Sequence, residues 1–120
     1  MSLTESKQGT PITNFGGNVS FVPKYRYKPQ NEAQVLDLLN QHPNGKIRVV
    51  ASLHSWSDVV QSEDVIVDMS HFDSIEIEAT EAGEVRVTAG GGCILRKLLD
   101  TLHRQTNSTL PTLGTVKVQT

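Results

Sequence analysis

Two short runs restrict the fold of this chain more than any other feature. KIRVVAS (46–52) and DVIVDMS (64–70) are rich in valine and isoleucine, and each has the length of a strand. The first has few polar residues past Arg48, the pattern expected where both faces of a strand are covered, which happens mostly in parallel sheets. Parallel strands need a crossover connection, and a helix stands where one is required. In PQNEAQVLDLLNQHPNG (29–45), Asn31 reads as an N-cap with Gln34 three residues on, as in a capping box. Val35, Leu36, Leu38 and Leu39 form an apolar stripe, and Pro43 to Gly45 stop the helix. Helix 31–41 followed by strand 46–52 is then half of a βαβ unit.

The flanking segments add a different layer. SFVPKYRYKP (20–29) alternates aromatic with basic residues around a proline, which suits an edge strand. IEIEATEAGEVRVTAG (75–90) carries two alternating runs around Glu81-Ala82-Gly83, the pattern of an antiparallel hairpin with one wet face. GCILRKLLDTLHRQ (92–105) places Leu95, Leu98, Leu99 and Leu102 on one side of a second amphipathic helix. If that apolar side has no cover within the chain, a partner chain or self-association is implied. Residues 1–13 read as a flexible polar tail and 14–120 as one domain portion. The fold class is α+β, a small βαβ-type sheet with helices followed by a hairpin and a helix.

Composition excludes more than it identifies. A formal net charge of −2 and a pI near 6.0 give no electrostatic reason to expect nucleic acid or an anionic membrane as partner. No apolar run approaches the roughly 20 residues that span a bilayer. The polar start MSLTESKQGT lacks the apolar core of a signal peptide, and the single cysteine rules out an internal disulfide. Both features suit a cytoplasmic chain.

Four histidines (42, 54, 71, 103) raise the question of a metal, but none falls at a local ligand spacing such as H-x-x-x-H. His42 and His103 sit near helix C-termini, where an imidazolium meets the helix dipole favourably. Cys93 opens a helix, a position that lowers a thiol's pKa, yet it also adjoins a packed stripe and fits a structural role. AGGGC (89–93) links a strand to a helix. It does not match G-x-G-x-x-G and reads as a tight turn that uses glycine's positive φ. The segment VVASLHSWS (49–57) differs. Its strand runs into Ala51-Ser52 and a turn at Leu53-His54-Ser55, exposing successive backbone amides and two hydroxyls. Such a concavity suits a pyrophosphate without any lysine, and a histidine at its rim lies beside whatever the diphosphate carries. On residue chemistry alone, a plain surface or capping histidine remains the other reading.

An ordered set of motifs then links this loop to the rest of the chain. Asn14-Phe15-Gly16-Gly17-Asn18 is followed by Tyr27-Lys28-Pro29 before the first helix, and Ala51-Ser52-Leu53-His54-Ser55-Trp56 leaves the strand. Val65-Ile66-Val67-Asp68-Met69-Ser70, a hairpin ending in glycines and a helix come next. Leu110-Pro111-Thr112-Leu113-Gly114 and Gln119-Thr120 close the series. From Asn14 to Thr120 the chain resembles the start of the FAD-binding (PCMH-type) domain of the vanillyl-alcohol oxidase superfamily, most closely the sugar-lactone and alditol oxidases. Their patterns are N-W-x-G-N, G-x-G-H-S-[FW] and L-P-N-L-G-x-x-x-x-Q-T.

The resemblance implies FAD as cofactor and His54 as its covalent attachment residue. It implies that Val50, Ala51, Ser52, Leu53, His54, Ser55 and Trp56 hold the diphosphate, with Leu113, Gly114, Thr115 and Thr120 along the cofactor's other side. It implies a first subdomain that is incomplete at its C-terminal end, oxidising a small sugar-derived alcohol only as part of a longer protein and inactive alone. The family's two loop glycines are Ala51 and Leu53 here. A leucine at the second position costs energy if the backbone needs positive φ or a phosphate must approach closely. A second reading stays open, a short non-enzymatic nucleotide-binding or subunit-interaction module.

Overall fold

The computed structural model describes residues 9–110 and Thr120. Two short antiparallel strands, β1 (Ile12–Thr13) and β2 (Ser20–Phe21), come first. Next are β3 (Tyr25–Tyr27), helix α1 (Glu32–Gln41) and β4 (Ile47–Val50), then a single 3₁₀ turn at Asp58–Val60 and β5 (Val65–Asp68). A hairpin of β6 (Ile75–Ala79) and β7 (Val85–Ala89) leads to helix α2 (Leu95–Thr106). This is the mixed α+β order expected from the sequence.

The parallel sheet has the order β3-β5-β4, with β5 between two strands that precede it in the chain. Its four residues are all buried because both faces are covered. Side chains alternate across a strand, so neighbours on β5 enter different cores. Ile66 joins Ile12, Val19, Phe21 and Val50 under the β1–β2 ribbon. Val65 and Val67 join Tyr27 and Leu38 beneath α1. Each fully buried valine or isoleucine stabilises the fold by about 1.5–3 kcal/mol, which makes β5 the centre of both cores.

Three expectations are corrected here. Ile12 and Thr13, assigned to the polar tail, form β1, and Ile12 is 2% exposed because Phe21 and Ile66 pack on it. β4 is less covered than expected: Val50 enters one core and Ile47 packs on the other, but Val49 is 57% exposed where the strand forms the sheet edge. The third concerns the glycines after β7. None of Gly90, Gly91 and Gly92 has positive φ. Gly90 and Gly92 are needed for close approach instead, while Gly91 faces open space. A Cβ at Gly90 would lie 2.1 Å from the Phe72 carbonyl oxygen, and one at Gly92 1.9 Å from that of Met69.

Helix α1 starts as its sequence indicates. Asn31 Oδ1 accepts from the Gln34 amide at 2.9 Å, while Gln34 Oε1 accepts from the amide of Gln30, one residue before the cap, at 2.8 Å. Only Leu38 of its apolar stripe is fully buried; Leu36 is 60% exposed and Leu39 is also exposed. His42 is the C-cap, and its Nε2 hydrogen-bonds the Tyr27 hydroxyl at 2.7 Å. On α2, Leu102 is buried and Leu95, Leu98 and Leu99 are half-buried, so the exposed leucines belong to α1. Among the described residues no helix is long and apolar enough to cross a membrane, and no cluster of metal-ligating side chains occurs.

Candidate functional site

The site begins where β4 ends. Val50 is anchored on one side by its place in the core and on the other by its carbonyl, which accepts from the Met69 amide at 2.9 Å. The chain then turns through residues 51–57. Leu53 has φ +61°, a left-handed conformation that costs a branched side chain roughly 1–2 kcal/mol. Packing holds it there, since the Leu53 side chain lies against the Ile12–Val19–Phe21–Val50–Ile66 core. Within residues 51–57 no other residue has positive φ, and such a reversal of backbone handedness turns successive N–H groups into one anion-accepting concavity.

The amides of Leu53, His54, Ser55 and Trp56 donate to no protein acceptor among the described residues. The loop's carbonyls are bound instead. Phe15 N–H donates to the Leu53 carbonyl at 2.7 Å, Asn14 Nδ2 to that of Ser55 at 2.8 Å, and Asn18 Nδ2 to that of Trp56 at 2.9 Å. The His54 ring stacks on Phe15 with centroids 4.4 Å apart and planes 20° from parallel. Neither of its ring nitrogens has a hydrogen-bond partner among the described residues. The Trp56 ring lies over Gly16, where an added Cβ would come within 2.5 Å of it.

Thr120 returns to this loop from the far end of the chain. Its amide donates to Ser52 Oγ at 3.0 Å, and the two hydroxyls are 3.0 Å apart. Ser55 Oγ lies 3.3 Å from Ser57 Oγ. Residues 49–55, Val60 and Thr120 enclose a cavity of about 190 Å³. That is below the roughly 300–1,000 Å³ of sites for whole drug-sized ligands, and fits one small polyatomic group of a larger molecule. No lysine or arginine lines it. An anion there is met by N–H dipoles and hydroxyls.

The structure thus brings together Val50, Ala51, Ser52, Leu53, His54, Ser55 and Thr120 from the sequence-derived set. Trp56 lies outside the cavity lining and contributes through its backbone and its cover of Gly16. Leu113, Gly114 and Thr115 lie outside the described residues. Sequence reasoning assigned no role to Asn14, Phe15 and Asn18. The signal was present, an amide side chain on each side of a glycine pair, but its partners are distant in the chain.

Cys93 is not an activated thiol. It is buried just before α2, its Sγ contacts the Ile94 carbonyl oxygen at 3.6 Å, and burial pushes its pKa up despite the nearby Lys97. On the same side of the molecule the Lys97 ammonium holds the Asp73 carboxyl below its usual range through a 2.8 Å hydrogen bond.

The comparisons with known proteins agree with this geometry. Residues 23–120 match the FAD binding domain family. A long-chain alcohol oxidase from an uncultured marine euryarchaeote is 34% identical over 94% of this chain, which spans 23% of that relative's length. A chitooligosaccharide oxidase superposes with a TM-score of 0.72 at 17% identity, over 98% of this chain and 26% of the other. A cholesterol oxidase from B. sterolicum does so with a TM-score of 0.71 at 20% identity, over 85% of this chain and 20% of the other. The fold, the amide-lined loop after β4 and the match over residues 23–120 place this chain in the FAD binding domain family, the PCMH-type flavin fold of FAD-linked oxidases.

Proposed function

We infer that the chain forms the diphosphate-holding and flavin-attachment part of an FAD-dependent oxidase that acts on an alcohol carbon. The observation that carries this reading is the run of four amides, Leu53 to Trp56, beside the His54 imidazole, none of which has a hydrogen-bond partner among the described residues. The amides of this run and the hydroxyls of Ser52, Ser55 and Thr120 hold the diphosphate. Leu113, Gly114 and Thr115 are assigned to the cofactor's other side by their sequence motif. When bound, FAD supplies the redox chemistry, taking a hydride from the alcohol carbon and passing two electrons to dioxygen or another acceptor.

His54 is the attachment residue in this reading. With FAD bound, an imidazole nitrogen of His54 would replace one hydrogen of the flavin's 8α methyl, with dioxygen as the two-electron oxidant that leaves as hydrogen peroxide. The tether removes the entropic gain of cofactor loss, and the electron-withdrawing imidazole raises the flavin's potential.

Two substrate classes follow from two observations. The motif series from Asn14 to Thr120 favours a sugar lactone or alditol. The name of the 34%-identical relative favours a long-chain alcohol. Turnover of a panel of both by the protein in its full length separates them. The attachment itself is tested by the intact mass and visible absorbance of the chain expressed with FAD available. One added FAD, lost in His54→Ala, supports the full reading. A yellow chain of unmodified mass removes the covalent bond but keeps the site. A colourless chain that binds no FAD overturns the reading in favour of a non-enzymatic module.

A further inference from the structure

We propose that the segment Asn14–Asn18 is a positioning clamp that sets the plane of the His54 ring and aims the amides of the loop. The inference rests on the flavin reading for its purpose, but its geometry stands without it.

The argument starts from the planarity of the peptide unit. In a trans peptide the carbonyl of one residue and the N–H of the next point in opposite directions. Whatever fixes a carbonyl therefore aims the following amide. Phe15 N–H on the Leu53 carbonyl sets the N–H of His54, and Asn14 Nδ2 on the Ser55 carbonyl sets that of Trp56. Asn18 Nδ2 on the Trp56 carbonyl likewise sets the N–H of Ser57. Three donors from one five-residue segment thus hold carbonyls so that the amides of His54, Trp56 and Ser57 face away from the segment, with no acceptor among the described residues.

The clamp is itself braced. Asn14 is buried, and its Oδ1 accepts from the Val19 amide at 3.1 Å, which leaves Nδ2 as the donor to both Ser55 and Asn18 Oδ1. The Asn14 amide donates to the Val19 carbonyl at 3.1 Å and closes the turn. Phe15 is different in kind. At 64% exposed it contributes little to core packing, yet its ring is stacked on His54. An exposed phenylalanine in that place acts on the imidazole. It restricts rotation about the two side-chain torsions of His54 and keeps both ring nitrogens clear of protein partners.

The test uses the full chain and reads the clamp before any flavin is added. In the flavin-free protein the His54 ring protons carry an upfield ring-current shift from Phe15. Phe15→Leu abolishes that shift and Phe15→Tyr retains it. With FAD present, Phe15→Leu slows covalent incorporation, followed by intact mass, about tenfold, the scale expected when a reacting group loses its orientation. Phe15→Tyr restores the rate. Pyrophosphate affinity is unchanged in Phe15→Leu, because the amides stay aimed, and falls severalfold in Asn18→Ala, which removes the partner bracing Asn14 Nδ2 and so loosens its hold on the Ser55 carbonyl and the Trp56 amide. A wild-type His54 without the ring-current shift overturns the clamp, and so does incorporation at the wild-type rate in a Phe15→Leu chain that has lost the shift. A wild type that shows the shift but takes up neither FAD nor pyrophosphate overturns the flavin reading alone.

Discussion

Leu53 offers the sharpest test of the energetics, because two contributions of similar size oppose each other there. Its φ of +61° costs a branched residue about 1–2 kcal/mol. Its half-buried side chain offsets this by packing against the core of Ile12, Val19, Phe21, Val50 and Ile66, which is worth about half of the roughly 1.5–3 kcal/mol of a fully buried leucine. Leu53→Ala loses most of the packing and keeps the strain, so it destabilises by roughly 1 kcal/mol. Leu53→Gly loses the same packing, recovers about 1–2 kcal/mol of strain and gives back about 0.5–1 kcal/mol as unfolded-chain entropy. Glycine at this position is therefore the more stable of the two variants by up to about 1.5 kcal/mol, the reverse of the order found in an ordinary strand or helix. With an m-value of about 1–3 kcal/mol/M, this difference moves the urea midpoint by several tenths molar. An alanine variant more stable than the glycine variant by about 0.5–1 kcal/mol would show that the left-handed turn carries no strain. The flavin readout is independent of this one. Leu53→Gly retains more FAD than the parent if the leucine Cβ obstructs the diphosphate, and equal or lower retention sinks that explanation.

Three further outcomes are expected. Gly92→Ala drives a Cβ into the Met69 carbonyl oxygen at 1.9 Å, and neither backbone can yield cheaply; thermal unfolding should register a loss of about 3 kcal/mol, and an unchanged Tm would remove the close-approach argument. Lys97→Met releases the Asp73 carboxyl, which then titrates nearer its ordinary value of 3.8 by carbon-detected NMR. Because the folded value is the lower one, whatever the pair contributes is present above the unfolded pKa and disappears as pH falls through the folded pKa. Parent and variant should converge in stability in that acid window, and a gap that persists there contradicts the assignment. Cys93 should react slowly with iodoacetamide at neutral pH and rapidly once the chain is unfolded in urea. Its raised pKa means that the stability tied to the protonated thiol is held at and below the unfolded pKa and lost as pH rises toward the folded one. Fast alkylation of the folded chain would refute its burial.

What was legible in the sequence was mostly local. Asn31, Gln34 and the Pro43–Gly45 stop delimit α1 because caps and breakers act within a few residues. The runs at 47–50 and 65–68 read as parallel strands, and so they are. Which of them lies at the edge depends on the insertion of β5 between β3 and β4, a property of topology that periodicity does not carry, and so the exposure of Val49 went unseen. The glycines at 90 and 92 were given the wrong physical reason, since a turn that needs positive φ and a turn that needs empty space have the same composition. The cost at Leu53 could be stated as a condition on φ, and the structure meets the condition. The hydrogen bonds from Asn14 and Asn18 reach across 41 and 38 residues, beyond any local pattern. The resemblance assigned Thr120 to the cofactor's other side, and its hydrogen bonds to Ser52, across 68 residues, had no signal in the sequence.

The late insertion of β5 also dictates an order of assembly. β3 and β4 share no ladder with each other; both pair only with β5, which emerges from synthesis after both. Until residues 65–68 arrive, neither edge strand has a backbone partner in this sheet, and the core beneath α1 lacks Val65 and Val67. The entropic penalty of two long loop closures falls on one short segment of four residues. The carbonyl of Val50, from which the His54 loop departs, is also bound only when Met69 follows β5 into place. A nascent chain thus cannot fix the departure point of the His54 loop before its central strand is seated, and the site's geometry is the last thing this sheet delivers.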